Sequence, residues 1–273
     1  MKGRPRFNPL IAHVADVAMA ERIARLDPRS LALAQRFWPG PLTLVMPARS
    51  SAPIDPLATA GLDTIALRVP VGPLRELSER LNRPLVAPSA NRSGKVSPTT
   101  TMHVLGDLAP HLDPATDVIV SDELRAGELV GIESTIVSLA DVRPTLLRPG
   151  GLSRDELEAV IGEKLVAWTS GRVAAPGMLA SHYAPQGTVR LRASTVFPDE
   201  FHIAFGAGLD PHRTAGGFQL SERGDLREAA ANLFAALHAA NAAGATRVAV
   251  SPIPNVGLGE GLNDRLSRAA APR

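Results

Sequence analysis

Several residue types are absent from the sequence or rare in it. Its 273 residues include no cysteine, one tyrosine, two tryptophans and only three lysines, Lys2, Lys95 and Lys164. The absence of cysteine excludes disulfides and thiolate-bound metals, and it fits a cytoplasmic protein. No run of 18 apolar residues is present, and the first residues lack the apolar core of a signal peptide. We therefore expect neither a membrane span nor export.

The residues that are present are those of an ordinary globular protein. Hydrophobic residues make up 45% and charged residues 21% of the chain, which argues against a disordered protein. Arginine supplies nearly all of the 29 basic residues, and it binds phosphate and carboxylate in a fork geometry. The formal net charge of +2 is too small to predict nucleic-acid binding. An aromatic content of 4% also offers little for base stacking.

The common catalytic and cofactor motifs are absent from the sequence. It has no G-x-x-x-x-G-K-[ST] phosphate loop, no H-E-x-x-H zinc motif and no G-x-S-x-G nucleophile elbow. The glycine-rich run 257–261 lacks full dinucleotide spacing, so we interpret it as a plain loop before a helix over 262–266. These absences favour a site that works without a covalent nucleophile.

Hydrophobic periodicity divides the chain into three parts and predicts an α/β fold. Residues 1–165 alternate short apolar runs with helical segments, which is typical of an α/β or α+β domain. Residues 166–186 lose that periodicity and are interpreted as a linker. Residues 187–273 return to strands around a long helix over about 225–243, which predicts a small Rossmann-like layer. The predicted strands are 42–46, 64–69, 85–87, 118–120, 135–139, 188–192, 201–206 and 246–251, and the other predicted helices are 28–37, 73–82 and 153–162.

Polar side chains gather where the predicted strands begin or end. Ligands of open α/β sheets bind beyond strand ends. Cations, small hydroxyls and amides at such ends predict an anion or nucleotide pocket. The residues in question are Lys2, Arg4, Asn8, His13, Thr64, Arg68, Ser89, Asn91, Ser97, Ser134 and Arg148.

The residues alone also allow structural explanations. Lys2 and Arg4 fit a solvated terminal arm as well as a site. Arg68, inside an apolar strand, fits a structural ion pair. Ser89 and Asn91 are ordinary turn residues. Arg148 would serve as a strand-end charge, and His13 as a buried structural residue.

In their order along the chain, these segments resemble the Sua5/YrdC/YciO family, and specifically its two-domain Sua5 type. The resemblance is carried by KGRP at 2–5, NPL at 8–10, FWPGPLT at 37–43, IALRVP at 65–70, APSANRSG at 87–94, ESTIV at 133–137, LRPG at 147–150, PGM at 176–178, HYAP at 182–185 and NDRL at 263–266. It implies a YrdC-like twisted α/β catalytic domain over 1–165. A linker over 166–186 and a small Rossmann-like C-terminal domain over 187–273 would follow.

The resemblance also implies an activity. Members of this family form threonylcarbamoyl-AMP and pyrophosphate from L-threonine, bicarbonate or CO2, and ATP, with Mg²⁺ bound through the ATP phosphates. The product supplies the threonylcarbamoyl modification of a tRNA adenosine, so the implied partners are the downstream threonylcarbamoyl-transfer proteins. Such a reaction needs in-line positioning and charge neutralisation rather than a strong protein base.

The resemblance further implies roles for single residues. Catalysis on the phosphates falls to Lys2, Arg4, Ser89 and Asn91. Tyr183, or its neighbours in the linker, would close over the ligand. Threonine would be held by His13, Arg68 and Ser134, with Arg68 on its carboxylate. The residues expected to contact ATP are Arg4, Asn8, Thr64, Ala87, Ser89, Ser97 and Arg148.

One departure from the family pattern leaves alternatives open. Family members carry a helix, a strand and a P-T-[ED]-T-x-Y-G-L-like turn before the K-x-R motif, and this sequence does not show them. We therefore expect an N-terminally incomplete catalytic domain with an exposed sheet edge and a half-open threonine pocket. The alternatives are a catalytically impaired fragment, an RNA-binding YrdC-like module and a carbamoyl-adenylate former of the hydrogenase-maturation type. Salt-dependent RNA affinity would favour the second, whereas the Sua5-like linker argues against the third.

Overall fold

The computed structural model of the chain describes residues 3–5, 7–121, 131–169, 173–178, 181–208 and 214–272. The strands are β1 Ile11–His13, β2 Leu42–Pro47, β3 Thr64–Arg68, β4 Leu85–Ala87, β5 Thr135–Ser138, β6 Thr145–Arg148, β7 Val166–Ala167, β8 Thr188–Arg190, β9 Phe201–Phe205, β10 Gly217–Ser221 and β11 Arg247–Val250. The helices are α1 Val17–Ile23, α2 Pro28–Phe37, α3 Pro56–Thr59, α4 Pro73–Leu81, α5 Thr101–Leu108, α6 Arg154–Ile161, α7 Leu226–Ala242 and α8 Leu258–Ala270. In the described part of the chain, no helix is long and apolar enough to cross a membrane.

The chain folds into two units, each assembled from separate stretches. The first unit contains residues 5–88 and 133–179, and the second contains residues 1–4, 89–132 and 180–273. The first unit is built on a mixed sheet with the strand order β4-β1-β3-β2-β5-β6-β7. In this sheet β1 runs parallel to β3, and β2 runs antiparallel to β3 and parallel to β5.

Helices cover one face of the first sheet, and the sequence supplies their caps. Asp16 and Asp27 accept hydrogen bonds from backbone N–H groups in the first turns of α1 and α2. Ser153 and Glu156 form the predicted capping box at the start of α6. Apolar side chains from these helices meet alternate residues of the strands in one buried cluster, which includes Met19, Ile23, Leu33, Leu44, Leu67, Val137 and Leu157. This cluster is the core of the first unit.

The strand residues that alternate with the core residues have their side chains on the opposite face of the sheet. Val45 and Ala66 each lie between two core residues of their strand, so their side chains lie on this second face. They pack with Ala175 and Met178 from the segment 173–178. Part of the segment interpreted as a linker therefore lies against the sheet face of the first unit.

The second unit is built on a parallel sheet with the strand order β10-β9-β11-β8. Leu233 and Phe234 of α7 and Leu262 of α8 are fully or almost fully buried in its core. Val96 and Tyr183 belong to the same core, so residues of the segment 89–121 pack with residues that follow position 180. The predicted α/β class and the predicted Rossmann-like layer are both present.

Two local predictions are wrong. Residues 118–120 form no strand, and the side chains of Val118 and Val120 are 85% and 66% exposed. The run 257–261 is not a loop, because α8 already begins at Leu258. Glycine is needed there for space: a Cβ on Gly259 would overlap the carbonyl oxygen of Pro254. The glycines thus permit a close approach of backbone to a helix start, which a spacing pattern does not reveal.

Gly150 generates a first prediction, because it lies where the chain leaving β6 crosses the start of β5. A Cβ at this position would lie 2.6 Å from the nitrogen of Thr135 and 2.7 Å from the carbonyl carbon of Ser134. We expect Gly150→Ala to lower the free energy of unfolding by about 1–3 kcal/mol, as overpacking does. Urea denaturation followed by circular dichroism measures this change.

Gly106 offers a matched control on the exposed side of α5. Nothing lies within 4 Å of a Cβ built there. Gly106→Ala should therefore stabilise the chain by up to about 1 kcal/mol through helix propensity. A Gly150→Ala chain as stable as the unchanged one would contradict the crowding argument.

Candidate functional site

The second face of the first sheet carries polar side chains from neighbouring strands. Thr64 and Arg68 lie at the two ends of β3 and share the face of Ala66, because side chains alternate along a strand. His13 is the register partner of Arg68 in the parallel pair β1–β3. Two of the three residues predicted to hold threonine are therefore neighbours on one face.

Ser134, the third predicted threonine residue, joins this group through Arg148. The Nη2 group of Arg148 donates to the carbonyl oxygen of Ser134 at 2.7 Å and to its Oγ at 3.3 Å. The Oγ of Ser134 also lies 2.7 Å from the Oγ1 of Thr43. Thr43 stands at the level of Arg68, since Leu44 and Leu67 are partners in the antiparallel pair β2–β3. His13, Arg68, Ser134 and Arg148 thus converge at one edge of the sheet.

Two guanidinium groups are held near each other in this group. Burial and the charge of Arg148 lower the pKa of Arg68 to about 10, so Arg68 is still charged at neutral pH. Its Nε donates to the carbonyl oxygen of Gly40 at 2.9 Å, and Nη1 of Arg148 donates to that of Pro176 at 3.2 Å. Backbone carbonyl oxygens thus orient both guanidinium groups. A bound anion would relieve their repulsion.

His13 is neutral beside this positive charge. Burial, and then the charge of Arg68, lower its pKa to about 4. Its Nδ1 lies 3.3 Å from the carbonyl oxygen of Leu85. Because a carbonyl oxygen only accepts, Nδ1 carries the hydrogen and Nε2 is an acceptor. Such a ring suits the N–H or O–H group of an amino-acid ligand.

Three of the residues predicted to contact ATP lie towards the other edge of the same sheet. Ala87 is the partner of Ile11, at the start of β1, and Thr64 begins β3 at that edge. Asn8 precedes β1 and is 3% exposed. Arg148, the other residue predicted to contact ATP from this unit, makes hydrogen bonds with Ser134. Contact of these residues with ATP stays a prediction.

The loop 89–97, which carries three more of the predicted residues, belongs to the second unit. Asn91 is buried, and its Nδ2 donates to the carbonyl oxygens of Arg92 and Lys95, both at 3.0 Å. The backbone nitrogen of Ala184 donates to the carbonyl oxygen of Gly94 at 3.3 Å. Asn91 thus shapes the loop, as a turn residue does. Its contact with phosphates, like those of Ser89 and Ser97, stays a prediction.

The remaining predicted residues lie elsewhere. Lys2 is outside the described residues, and Arg4 is half-buried, with its pKa lowered by burial. Tyr183 is 1% exposed and has a φ of 62°. Its ring centroid lies 5.4 Å from that of Phe234 and 5.8 Å from the guanidinium carbon of Arg265. Tyr183 is thus a core residue of the second unit, and its closure over a ligand stays a prediction.

Sequence reasoning missed two residues of the group, Gly40 and Thr43. Gly40 accepts from Arg68, and its backbone nitrogen donates to the carbonyl oxygen of Val69 at 3.0 Å. A Cβ on Gly40 would overlap the carbonyl oxygen of Phe37. Both residues belong to the segment 37–43, which carried the family resemblance without a role. The sequence signal that could have found them is a small residue and a hydroxyl residue at the start of an otherwise apolar strand.

The geometry defines a class of protein: an α/β protein whose first sheet carries neighbouring arginines, a neutral histidine and hydroxyl groups. Comparison with known proteins agrees. A sequence model of the Sua5/YciO/YrdC family, described as "Telomere recombination", matches residues 1–150. A second model, described as "Threonylcarbamoyl-AMP synthase, C-terminal domain", matches residues 152–271.

Individual relatives cover the whole chain. Threonylcarbamoyl-AMP synthases from Bacillus subtilis (strain 168) and Pyrococcus abyssi (strain GE5 / Orsay) are 35% and 36% identical over 100% of this chain, which covers 82% and 83% of them. The crystal structure of P. abyssi Sua5 complexed with L-threonine has a TM-score of 0.85 and 34% identity, and the match covers 98% of this chain and 82% of that one. The chain belongs to the Sua5/YciO/YrdC family, in its two-domain Sua5 form. The predicted family and fold are confirmed.

The buried, neutral His13 generates a second prediction. Its pKa is about 4 in the folded chain and about 6.5 in an unfolded one. The fold therefore favours the neutral form, and this stabilisation is fully present above about pH 6.5 and is lost as the pH falls towards about 4. We expect the unchanged chain to lose about 2 kcal/mol of unfolding free energy through this group between about pH 7.5 and about pH 5.

Urea denaturation of His13→Gln at the two pH values tests this expectation. The variant should lose less stability on acidification than the unchanged chain, by the amount above. His111→Gln changes an exposed histidine and should retain the full acid sensitivity. Equal pH dependence of the His13→Gln chain and the unchanged chain would show that His13 is not buried in its neutral form.

Proposed function

We propose that this chain is a threonylcarbamoyl-AMP synthase, which joins L-threonine, bicarbonate or CO2, and ATP with release of pyrophosphate. The observation that carries the proposal is the grouping of His13, Arg68, Ser134 and Arg148 at one sheet edge. The names of the relatives, and the threonine bound to the P. abyssi protein, support the same activity.

The group at this edge matches the functional groups of threonine. The guanidinium of Arg68 would bind the carboxylate, since its charge is retained and its Nε is oriented by Gly40. The unprotonated Nε2 of His13 would accept from the amine or the hydroxyl group of threonine. Ser134 would complete the contacts with its hydroxyl, which Arg148 and Thr43 hold in place.

The chemistry then needs position more than acid–base strength. The amine of threonine loses a proton and forms an N–C bond to CO2, which gives a carbamate. A carbamate oxygen attacks the α-phosphorus of ATP while the bond to the β-phosphate breaks and pyrophosphate leaves. We propose that Lys2 and Arg4 neutralise the developing charge of the phosphates. The residues that would hold the nucleotide are Asn8, Thr64, Ala87, Ser89, Asn91, Ser97 and Arg148.

Metal, partners and location belong to the same proposal. Magnesium bound to the ATP phosphates would neutralise part of their charge, because Mg²⁺ prefers phosphate oxygens and water, and no protein ligand is assigned to it. The product would pass to threonylcarbamoyl-transfer proteins that act on tRNA, in the cytoplasm. Residues 1–165 would form the catalytic domain, 166–186 the linker and 187–273 the C-terminal domain.

Arg68→Met generates a third prediction, because it removes the proposed partner of the threonine carboxylate. Pyrophosphate release by the purified chain should require both threonine and bicarbonate. In the variant, the KM for threonine should rise by roughly 10–150-fold, which corresponds to a lost charged hydrogen bond of about 1.5–3 kcal/mol. The KM for ATP should change much less.

Arg80→Met is the matched control, since Arg80 is an exposed arginine on α4. This variant should keep the KM of the unchanged chain for both substrates. A folded, unchanged chain that releases no threonine-dependent pyrophosphate would refute the proposed activity. An unchanged KM for threonine in Arg68→Met would refute only the assignment of Arg68.

A further inference from the structure

A histidine of the C-terminal part of the chain contacts the loop that is proposed to bind ATP. The Nε2 of His238, on α7, lies 3.1 Å from the carbonyl oxygen of Ser97. Because the carbonyl oxygen only accepts, Nε2 donates. Ser97 is 5% exposed, so this hydrogen bond fixes the backbone of a buried residue. Helix α7 therefore helps to determine the conformation of the loop at Ser97.

A second histidine completes the contact. The rings of His103, on α5, and His238 are stacked, with 3.7 Å between their centroids and 13° between their planes. The backbone nitrogen of Thr99 lies 3.3 Å from Nδ1 of His103 and donates to it. Nδ1 must therefore be unprotonated, so the ring of His103 is neutral. The same turn is closed by Thr100, whose side chain caps α5.

Charge reinforces this geometry. Burial, and then the proximity of His238, lower the pKa of His103, and burial lowers the pKa of His238. The hydrogen bond to Ser97 and the carboxylate of Asp107 act in the opposite direction on His238. Asp107, which lies one turn after His103 on α5, also accepts a hydrogen bond from the backbone nitrogen of Arg92. The neutral ring pair is therefore favoured at neutral pH.

Protonation would disrupt the pair at two points. A proton on Nδ1 of His103 turns an acceptor into a donor, which opposes the N–H group of Thr99. A charge on both rings places two cations in a stack, where they repel each other. The backbone of Thr99 then loses its acceptor on His103, and repulsion between the rings would displace His238 from the carbonyl oxygen of Ser97.

We propose that His238 and His103 are positioning residues for ATP, and that their neutral stack holds Ser97 in the conformation that binds the nucleotide. The inference rests on the proposed function, since Ser97 contacts ATP only if the chain is the synthase. It assigns to α7 of the second unit a part in substrate binding. It also makes ATP affinity sensitive to acid, while threonine affinity is set by other residues.

Calorimetric titration with ATP, and separately with threonine, tests the inference without turnover. At about pH 7.5, His238→Ala should bind ATP about tenfold more weakly, the equivalent of one lost hydrogen bond, and threonine unchanged. His238→Gln retains a donor near the position of Nε2 and should recover most of the affinity. His103→Asn retains an acceptor near the position of Nδ1 and should do the same. His111→Ala, at an exposed histidine just after α5, should bind both ligands as the unchanged chain does.

The second measurement repeats the titrations at about pH 5, well below the ordinary pKa of histidine, because burial lowers the pKa of both rings. ATP affinity of the unchanged chain should fall more than that of the His238→Gln, His103→Asn double variant. The comparison is made between chains at one pH, so the protonation of ATP itself cancels. His13, with a pKa of about 4, stays neutral under these conditions.

The outcomes separate the inference from the function on which it rests. ATP binding by His238→Ala that equals the unchanged chain at both pH values would overturn the inference alone. A parallel loss of ATP and threonine affinity, with a lower unfolding midpoint, would show a merely structural role and would also overturn it. Failure of the unchanged chain to bind ATP would overturn the proposed function and the inference together.

Discussion

The arrangement on which the rest of the first unit depends is a pair of buried arginines. Arg68 and Arg148 repel each other, and burial removes the water that would screen them. Backbone carbonyl oxygens orient both groups. Two glycines lie at or beside these acceptors, Gly40 and Gly150, and a Cβ at either would overlap neighbouring backbone. Burial, and then the positive charge of Arg68, keep His13 neutral in the same place.

The sequence predicted the elements whose pattern is local. The strands Leu42–Pro47 and Thr64–Arg68 and the helix that follows Ser153 were found from alternation and capping. The strand Ile11–His13 was missed because three residues are too few to show a period. The valine-rich run 118–120 was predicted as a strand, although β propensity does not reveal whether a partner strand exists. Pairing is a property of the folded chain, and neither error could be corrected from composition.

The candidate site was predictable in its members and not in its arrangement. The family resemblance grouped His13 with Arg68, and the parallel pairing of β1 with β3 makes these two residues register partners. A motif does not reveal which groups Arg148 contacts in the folded chain, and its contact with ATP stays a prediction. Its hydrogen bonds to Ser134 follow from the antiparallel pairing of β5 with β6, which includes an irregularity in register. Thr43 was missed for the same reason, since only cross-strand pairing brings it to Ser134.

The order of motifs along the chain also conceals which residues stabilise one another. Two family models meet end to end near residue 151, yet Val96 from the first part is 3% exposed in a core formed with Phe234 from the second. Hydrogen bonds from Ala184 and His238 reach the loop that contains Val96. Sequence similarity divides the chain into consecutive stretches, whereas burial and hydrogen bonds join residues that are distant in sequence. The loop proposed to bind ATP is therefore packed and hydrogen-bonded by residues that a sequence boundary assigns to another domain, so the contacts of this loop depend on the C-terminal part of the chain.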